Sequence, residues 1–548
     1  MRFVIFIWLL TCSSALSADY EAVFHREDTS EFGVTFLEGD RIHHRLELGK
    51  FKPQAHGFWG KNNKVFWITT PVPNEKYWHL MAFDVENKKE LTRINIGKRL
   101  PNHLIYHRTW SEKSENGQFI FALTNKKNVW HLETYDSDSF SIVASVKLDK
   151  GAVEVTQLTD NRLLVISDFL SSKTSIYLID GSNGAMLFQE TIKARDKPQV
   201  SHTKSKNHVI VVRNEKRELT HASRNRALAI IRYKAHVSMV DSKSGKTVSE
   251  HNVGYDITPF YQHEDNEVLY FASRNSLKSP GAKIWEIRGE ELSAINEIED
   301  DCTPKIVLVR EAQDLSTLVC EKLVAHFSSS GESVSNLGIK ARSAFYDESG
   351  KNMYLMETLG SEVGHVSLEP LTYSGKQSTG RGDVKFAQGV SSVLLGVASA
   401  YAFGYAYVPT YNYNDTAITI NDAGTKIYAM NGGTRDVTII STKPFEKIKI
   451  LPTGNGPIGL SRFKQSEQIF ALSYSQVTVI DPSTDQVTLE LKDGNFVGAS
   501  EVMDRIYFAG EKGIKVISIS ELNESPLLPE QAGIYLVVPP KEITRELY

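Results

Sequence analysis

Residues 415–459, DTAITINDAGTKIYAMNGGTRDVTIISTKPFEKIKILPTGNGPIG, constrain the fold more than any other stretch. Ala417–Ile420 is a short run of apolar and β-branched residues, which reads as a strand. Asn421-Asp422-Ala423-Gly424 supplies a tight reversal, because Asn, Asp and Gly tolerate the backbone angles it needs. Lys426–Met430 and Asp436–Ile440 read as two further strands, separated by Asn431-Gly432-Gly433. Ile448–Ile450 begins a fourth after a charged turn. Four short antiparallel strands make one twisted sheet. Such a sheet cannot bury both faces alone, so it needs neighbours of the same kind.

The rest of the chain supplies them. An apolar strand ending in an acidic or small polar residue, then a polar turn and an alternating strand, recurs along the sequence. Its ends fall at Asp84, Asp136, Asp180, Asp241, Glu286, Phe327, Leu368, Ser441, Asp481 and Ser518. Most steps are 37–52 residues, close to the ~40–50 residues of a propeller blade. The steps Asp180 to Asp241 and Leu368 to Ser441 are longer and mark insertions. The expectation is an all-β fold, a β-propeller of four-stranded antiparallel blades in one ring of seven or eight, since single rings usually hold roughly four to eight. An N-terminal strand completing the C-terminal blade would close it and remove open sheet edges.

Over about 415–495 the pattern resembles a YVTN-type β-propeller repeat, with Tyr428, Asn431, Ile440, Gly454 and Pro457 at the matching positions. Ser441 stands where that repeat usually carries Asp, and the next unit restores it as Asp481. The resemblance implies a repeat fold without implying an activity. Related propellers resemble quinoprotein dehydrogenase subunits and lactonases, which makes an enzyme with its site over the central channel one alternative.

Met1-Arg2, the apolar run Phe3–Leu10 and small residues through Ala18 have the form of a secretory signal peptide, with cleavage after Ser17 or Ala18. The run is too short to span a bilayer. A secreted or periplasmic location follows as an expectation. Removing the leader removes Cys12 and leaves Cys302 and Cys320, an even pair that an oxidising compartment would join across a hairpin. The organisation is thus a leader over 1–18, blades over 19–385, an insertion over 386–413, YVTN-like blades over 414–525 and a tail over 526–548.

Chemistry is sparse. No nucleophile elbow, phosphate loop or zinc spacing is present. His43 and His44 are adjacent on a strand, so they point to opposite faces and cannot chelate together. No catalytic residue, metal or cofactor is expected, and a formal net charge of −4 gives no global pull toward nucleic acid. Two stretches are candidates for partner binding. The segment 193–234 concentrates Lys and Arg, including Lys216, Arg217, Arg224 and Arg226, and reads either as a basic loop for an anionic partner or as a solvated loop balanced by the acidic run Glu286–Asp301. The uncharged 386–413 alternates Tyr401, Phe403, Tyr405 and Tyr407 on one face of a strand. It packs on the propeller, docks an unknown protein partner, or touches a membrane surface through 386–408. The leading function is an exported scaffold without evident catalysis, and a membrane-associated assembly factor is the second alternative.

Overall fold

The computed structural model describes residues 20–98, 111–219, 231–381 and 417–538, apart from loop stretches of at most five residues. These residues form strands and turns, and no helix among them is long and apolar enough to cross a membrane. Among the described residues forty-four strands form nine sheets, seven of four strands and two of eight, and each eight-stranded sheet divides at a single residue pair into two halves, which gives eleven four-stranded antiparallel units. Ten run in chain order: 56–98, 111–148, 152–193, 199–255, 261–298, 304–336, 341–378, 417–452, 457–491 and 494–529. The eleventh joins Tyr20–Arg26, Glu31–Glu38 and Arg41–Lys50 to Ile534–Val538 from the other end of the chain.

Hydrophobic patterning explains how the sheets pack. The middle strands are buried along their length, as in Ile469–Ser473 and Gln476–Ile480, where both faces meet a neighbouring sheet. The outermost strands alternate, as in Leu371–Ser378, so only one face is covered. The apolar cores then lie between consecutive sheets. Phe119, Phe121 and Leu123 pack with Leu163, Val165 and Ile179 of the next sheet. Tyr428, Met430 and Ile439 pack with Leu460, Ile469 and Ile480. Phe470 and Leu472 pack with Ile506 and Phe508. The first sheet packs Tyr20, Ala22 and Phe36 on Trp59, Phe66 and Phe83 of the second.

The cycle closes at its ends. Glu21, fully buried in the first sheet, accepts from Arg505 Nη1 at 2.9 Å and from the Tyr507 hydroxyl at 2.6 Å, both in the sheet 494–529. Sheets of four antiparallel strands, each packed face to face on the next and the last on the first, define a β-propeller.

Two particulars differ from the sequence-based expectation. The described residues hold eleven four-stranded units, beside the seven or eight blades anticipated. The recurring signature suggested about ten units, and the usual size of single rings argued that number down. The sheet split between the chain ends carries no recurring signature at all. Closure also runs the other way. Ile534–Val538, within the anticipated tail, pairs with Tyr20–Arg26 and completes the N-terminal sheet, while 494–529 already has four strands of its own.

Neighbouring sheets touch through backbone at two places, Gly97 with Asn125 and Tyr255 with Arg274. Gly97 has φ +128° and the adjacent Gly254 has φ +98°. A Cβ on either would run into the neighbouring strand's backbone, so only glycine lets the sheets come this close.

Candidate functional site

Five of the recurring acidic residues turn out to be turn residues, while Glu286 lies within the strand Ala282–Arg288. Asp84 accepts from the backbone N–H of Asn87 at 2.9 Å, Asp136 from Ser139 at 2.8 Å, Asp180 from Ser182 at 2.9 Å, Asp241 from Ser244 at 2.7 Å and Asp481 from Ser483 at 2.8 Å. Each side chain ties the turn between the third and fourth strands of its sheet, an Asx-type closure. Hydrogen bonds from Ser244 hold the Asp241 carboxyl below the usual carboxylate range, and those from Ser483 do the same for Asp481. These carboxylates are therefore structural.

The long step between Asp180 and Asp241 has a different origin. Its excess length lies in the second and third strands of the sheet 199–255, His208–Leu219 and Ile231–Asp241. The first strand of that sheet pairs only along 209–212, and the fourth reaches only as far as Lys234. Lys216 pairs with Lys234, where the fourth strand still reaches, and beyond that point the two long strands pair with each other alone among the described residues: Arg217 with Tyr233, Glu218 with Arg232 and Leu219 with Ile231. A two-stranded ribbon thus extends past the four-stranded sheet. It carries Lys216, Arg217, Arg232 and Lys234 against Glu215 and Glu218. Lys216 and Arg217 lie in the ribbon, whereas Arg224 and Arg226 lie outside the described residues.

The ribbon's base is a polar cluster. Arg213 Nε lies 2.6 Å from Glu190 Oε1 in the preceding sheet, and Arg213 Nη2 donates to Ser238 Oγ at 3.1 Å and to Glu250 Oε1 at 3.5 Å. His236 Nε2 is 3.7 Å from Glu250 Oε2. Burial pushes the Glu190 carboxyl up, and this outweighs the pull of Arg213 in the other direction. Arg213 therefore belongs to the joint between two sheets, and the basic residues beyond it are those of the ribbon.

The remaining candidates separate clearly. Cys302 and Cys320 are bonded, with Cα atoms 5.3 Å apart, and both are buried. Arg381, beyond the end of the sheet 341–378, is held by residues of the sheet 417–452. Its backbone N–H donates to Asp436 Oδ2 at 3.1 Å and its Nη2 to the Thr434 carbonyl at 3.1 Å. His43 Nε2 lies 3.0 Å from the Val85 carbonyl, and His44 stacks on Phe83 with centroids 5.3 Å apart. Among the described residues no three His, Cys, Asp or Glu side chains converge as metal ligands would. Tyr401, Phe403, Tyr405 and Tyr407, with the rest of 386–413, lie outside the described residues.

Among the buried charged groups that sequence reasoning missed, which include Glu133 and Asp436, is Glu21. Its partners Arg505 and Tyr507 sit at the other end of the chain, and no local pattern marks them.

By its architecture the molecule is a β-propeller. Neither a protein-family model nor a curated protein matches the chain. Among solved structures it is similar to the dihydro-heme d1 dehydrogenase NirN in complex with DHE, at 11% identity over 80% of this chain and 74% of that one, with a TM-score of 0.31. It is similar to the periplasmic gluconolactonase PpgL of Pseudomonas aeruginosa, at 13% identity over 60% and 95%, with a TM-score of 0.31. It is also similar to a eukaryotic initiation factor, at 12% identity over 95% and 98%, with a TM-score of 0.38. The fold assignment rests on the sheet pairing and packing of the chain itself.

Proposed function

We propose that this chain is an exported β-propeller that acts as an interaction scaffold and engages its partner through the basic ribbon built on 213–219 and 231–234. The observation that carries the reading is the ribbon. A folding core has no use for two strands extended beyond their sheet, and opposing Lys216 to Lys234 costs stability unless negative charge lies nearby. The aromatic face of Tyr401, Phe403, Tyr405 and Tyr407 is a second contact surface in this reading, for a protein or a membrane surface. Within the same proposal, the sheets 417–452 and 457–491 are YVTN-type repeats. Asn431, at the repeat's Asn position, donates to Thr379 Oγ1 at 3.1 Å and accepts from the Thr434 backbone at 3.3 Å, tying its sheet to the segment that enters it.

The test compares crosslinked partners of the wild-type chain and the K216A/R217A/R232A variant in the native host. The expected outcome is a variant that keeps the wild-type unfolding midpoint and loses the partner. A large loss of stability would instead make the ribbon structural. Export is checked by N-terminal sequencing of the mature protein, with Ala18 or Asp19 expected first.

A further inference from the structure

We infer that the partner of the basic ribbon is a second copy of this chain, docked by its acidic outer edge at 286–301; this rests on the scaffold reading above. The edge is defined by Glu291–Ile298, the outermost strand of the sheet 261–298, which pairs on one side with Ala282–Arg288 and on the other with no strand among the described residues. The run 286–301 holds Glu286, Glu290, Glu291, Glu297, Glu299, Asp300 and Asp301 against Arg288 alone. Glu290, Glu291, Glu297, Glu299, Asp300 and Asp301 are exposed.

Part of this charge is balanced internally. Arg288 pairs with Glu286 at 2.9 Å, Lys283 with Glu297 at 3.1 Å and Arg274 with Asp301 at 2.9 Å. The rest crowds. Glu332, on the outermost strand of the next sheet, has its carboxyl held above the usual range by burial first and then by Asp300 and Glu299. A carboxyl disfavoured by like charge beside it marks a surface that gains from an incoming cation.

The ribbon supplies the matching half. Its paired segments carry Lys216, Arg217, Arg232 and Lys234 against Glu215 and Glu218. Both the ribbon and Glu291–Ile298 offer strand edges that no described strand pairs, and opposite charge favours setting one edge against the other. Two copies can meet reciprocally about a two-fold axis, each ribbon on the other's edge, or head-to-tail, which builds a closed ring of copies or an open chain of them.

Sedimentation of the mature chain over a range of protein and salt concentrations tests this. Association is expected at low salt, weakening by about tenfold or more at high salt as screening shortens the reach of exposed charges. K216E/R217E/R232E and E291K/E299K/D300K each abolish association alone. Mixing the two variants restores it, because each then presents the charge that the other lacks. If either reversal variant fails to fold, the salt dependence of the wild type and the alanine versions of the same sets carry the test. A wild-type chain that stays monomeric at every salt and protein concentration overturns the inference, as does association that survives both reversals. Monomers that instead bind anionic vesicles overturn it too and assign the ribbon to a membrane. A monomer whose host crosslinks still depend on Lys216 and Arg217 overturns self-association alone. A wild-type chain that neither associates nor yields host crosslinks overturns the scaffold reading as well.

Discussion

Glu21 shows how much one side chain can carry. It is fully buried, and both its oxygens are satisfied by residues of another sheet, Arg505 and Tyr507. Glu21→Ala removes one partner of a buried pair and should cost roughly 3 kcal/mol, read as a lower urea midpoint. Asp180 makes the same point inside a turn. It is nearly buried, pairs with Arg162 at 2.7 Å and accepts from the Ser182 backbone, so Asp180→Ala should cost about 2 kcal/mol in the same assay. His326 is the residue whose pH behaviour has a clear sign. It is buried beside Thr317, its Nδ1 2.8 Å from the Thr317 hydroxyl, which itself accepts from Tyr346 at 2.7 Å. Burial lowers its folded pKa below the ordinary value, so the unfolded chain binds the proton more readily. Its contribution to stability is therefore complete above the ordinary histidine pKa and is lost as pH falls below it. His365 shifts the same way for the same first cause. Thermal midpoints measured from neutral to mildly acid pH should fall, and less so in His326→Gln; a midpoint unchanged in the wild type would reject this account. The turn aspartates were legible in the sequence as a recurring mark, because a local turn needs a local residue. Glu21 was not legible, because its partners are set by closure of the whole chain.

At the scale of elements, the disulfide, the ribbon and the closing strand each have a separate consequence. Cys302 and Cys320 are 18 residues apart and bracket one hairpin, so replacing both with Ser should cost about 3 kcal/mol through the freed unfolded chain. Thiol labelling of unfolded, unreduced protein should find neither free. The ribbon was visible in the sequence only as an overlong step dense in Lys and Arg. That it is a strand pair and not a loop depends on backbone pairing such as Glu218 with Arg232, which composition does not encode. The outer strands were easy to recognise, because one covered face gives strict alternation. The first sheet was hard, because three of its strands and the fourth lie at opposite ends of the sequence and no repeat joins them.

At the scale of the molecule, the cyclic order of sheets makes the placement of the chain's ends largely a matter of convenience. Ala22 pairs with Val538, which brings the two ends of the described chain side by side. A circular permutant that joins them through a short Gly/Ser linker and opens between residues 382 and 416 should fold with a midpoint close to that of the parent. Collapse of that permutant would show that 382–416 helps hold the sheets together. The same pairing makes one short strand the keeper of the seam: without Ile534–Val538 the strand Tyr20–Arg26 keeps an open edge. A chain that lacks 534–538 would retain nearly every other strand pairing and present a sticky edge to other molecules.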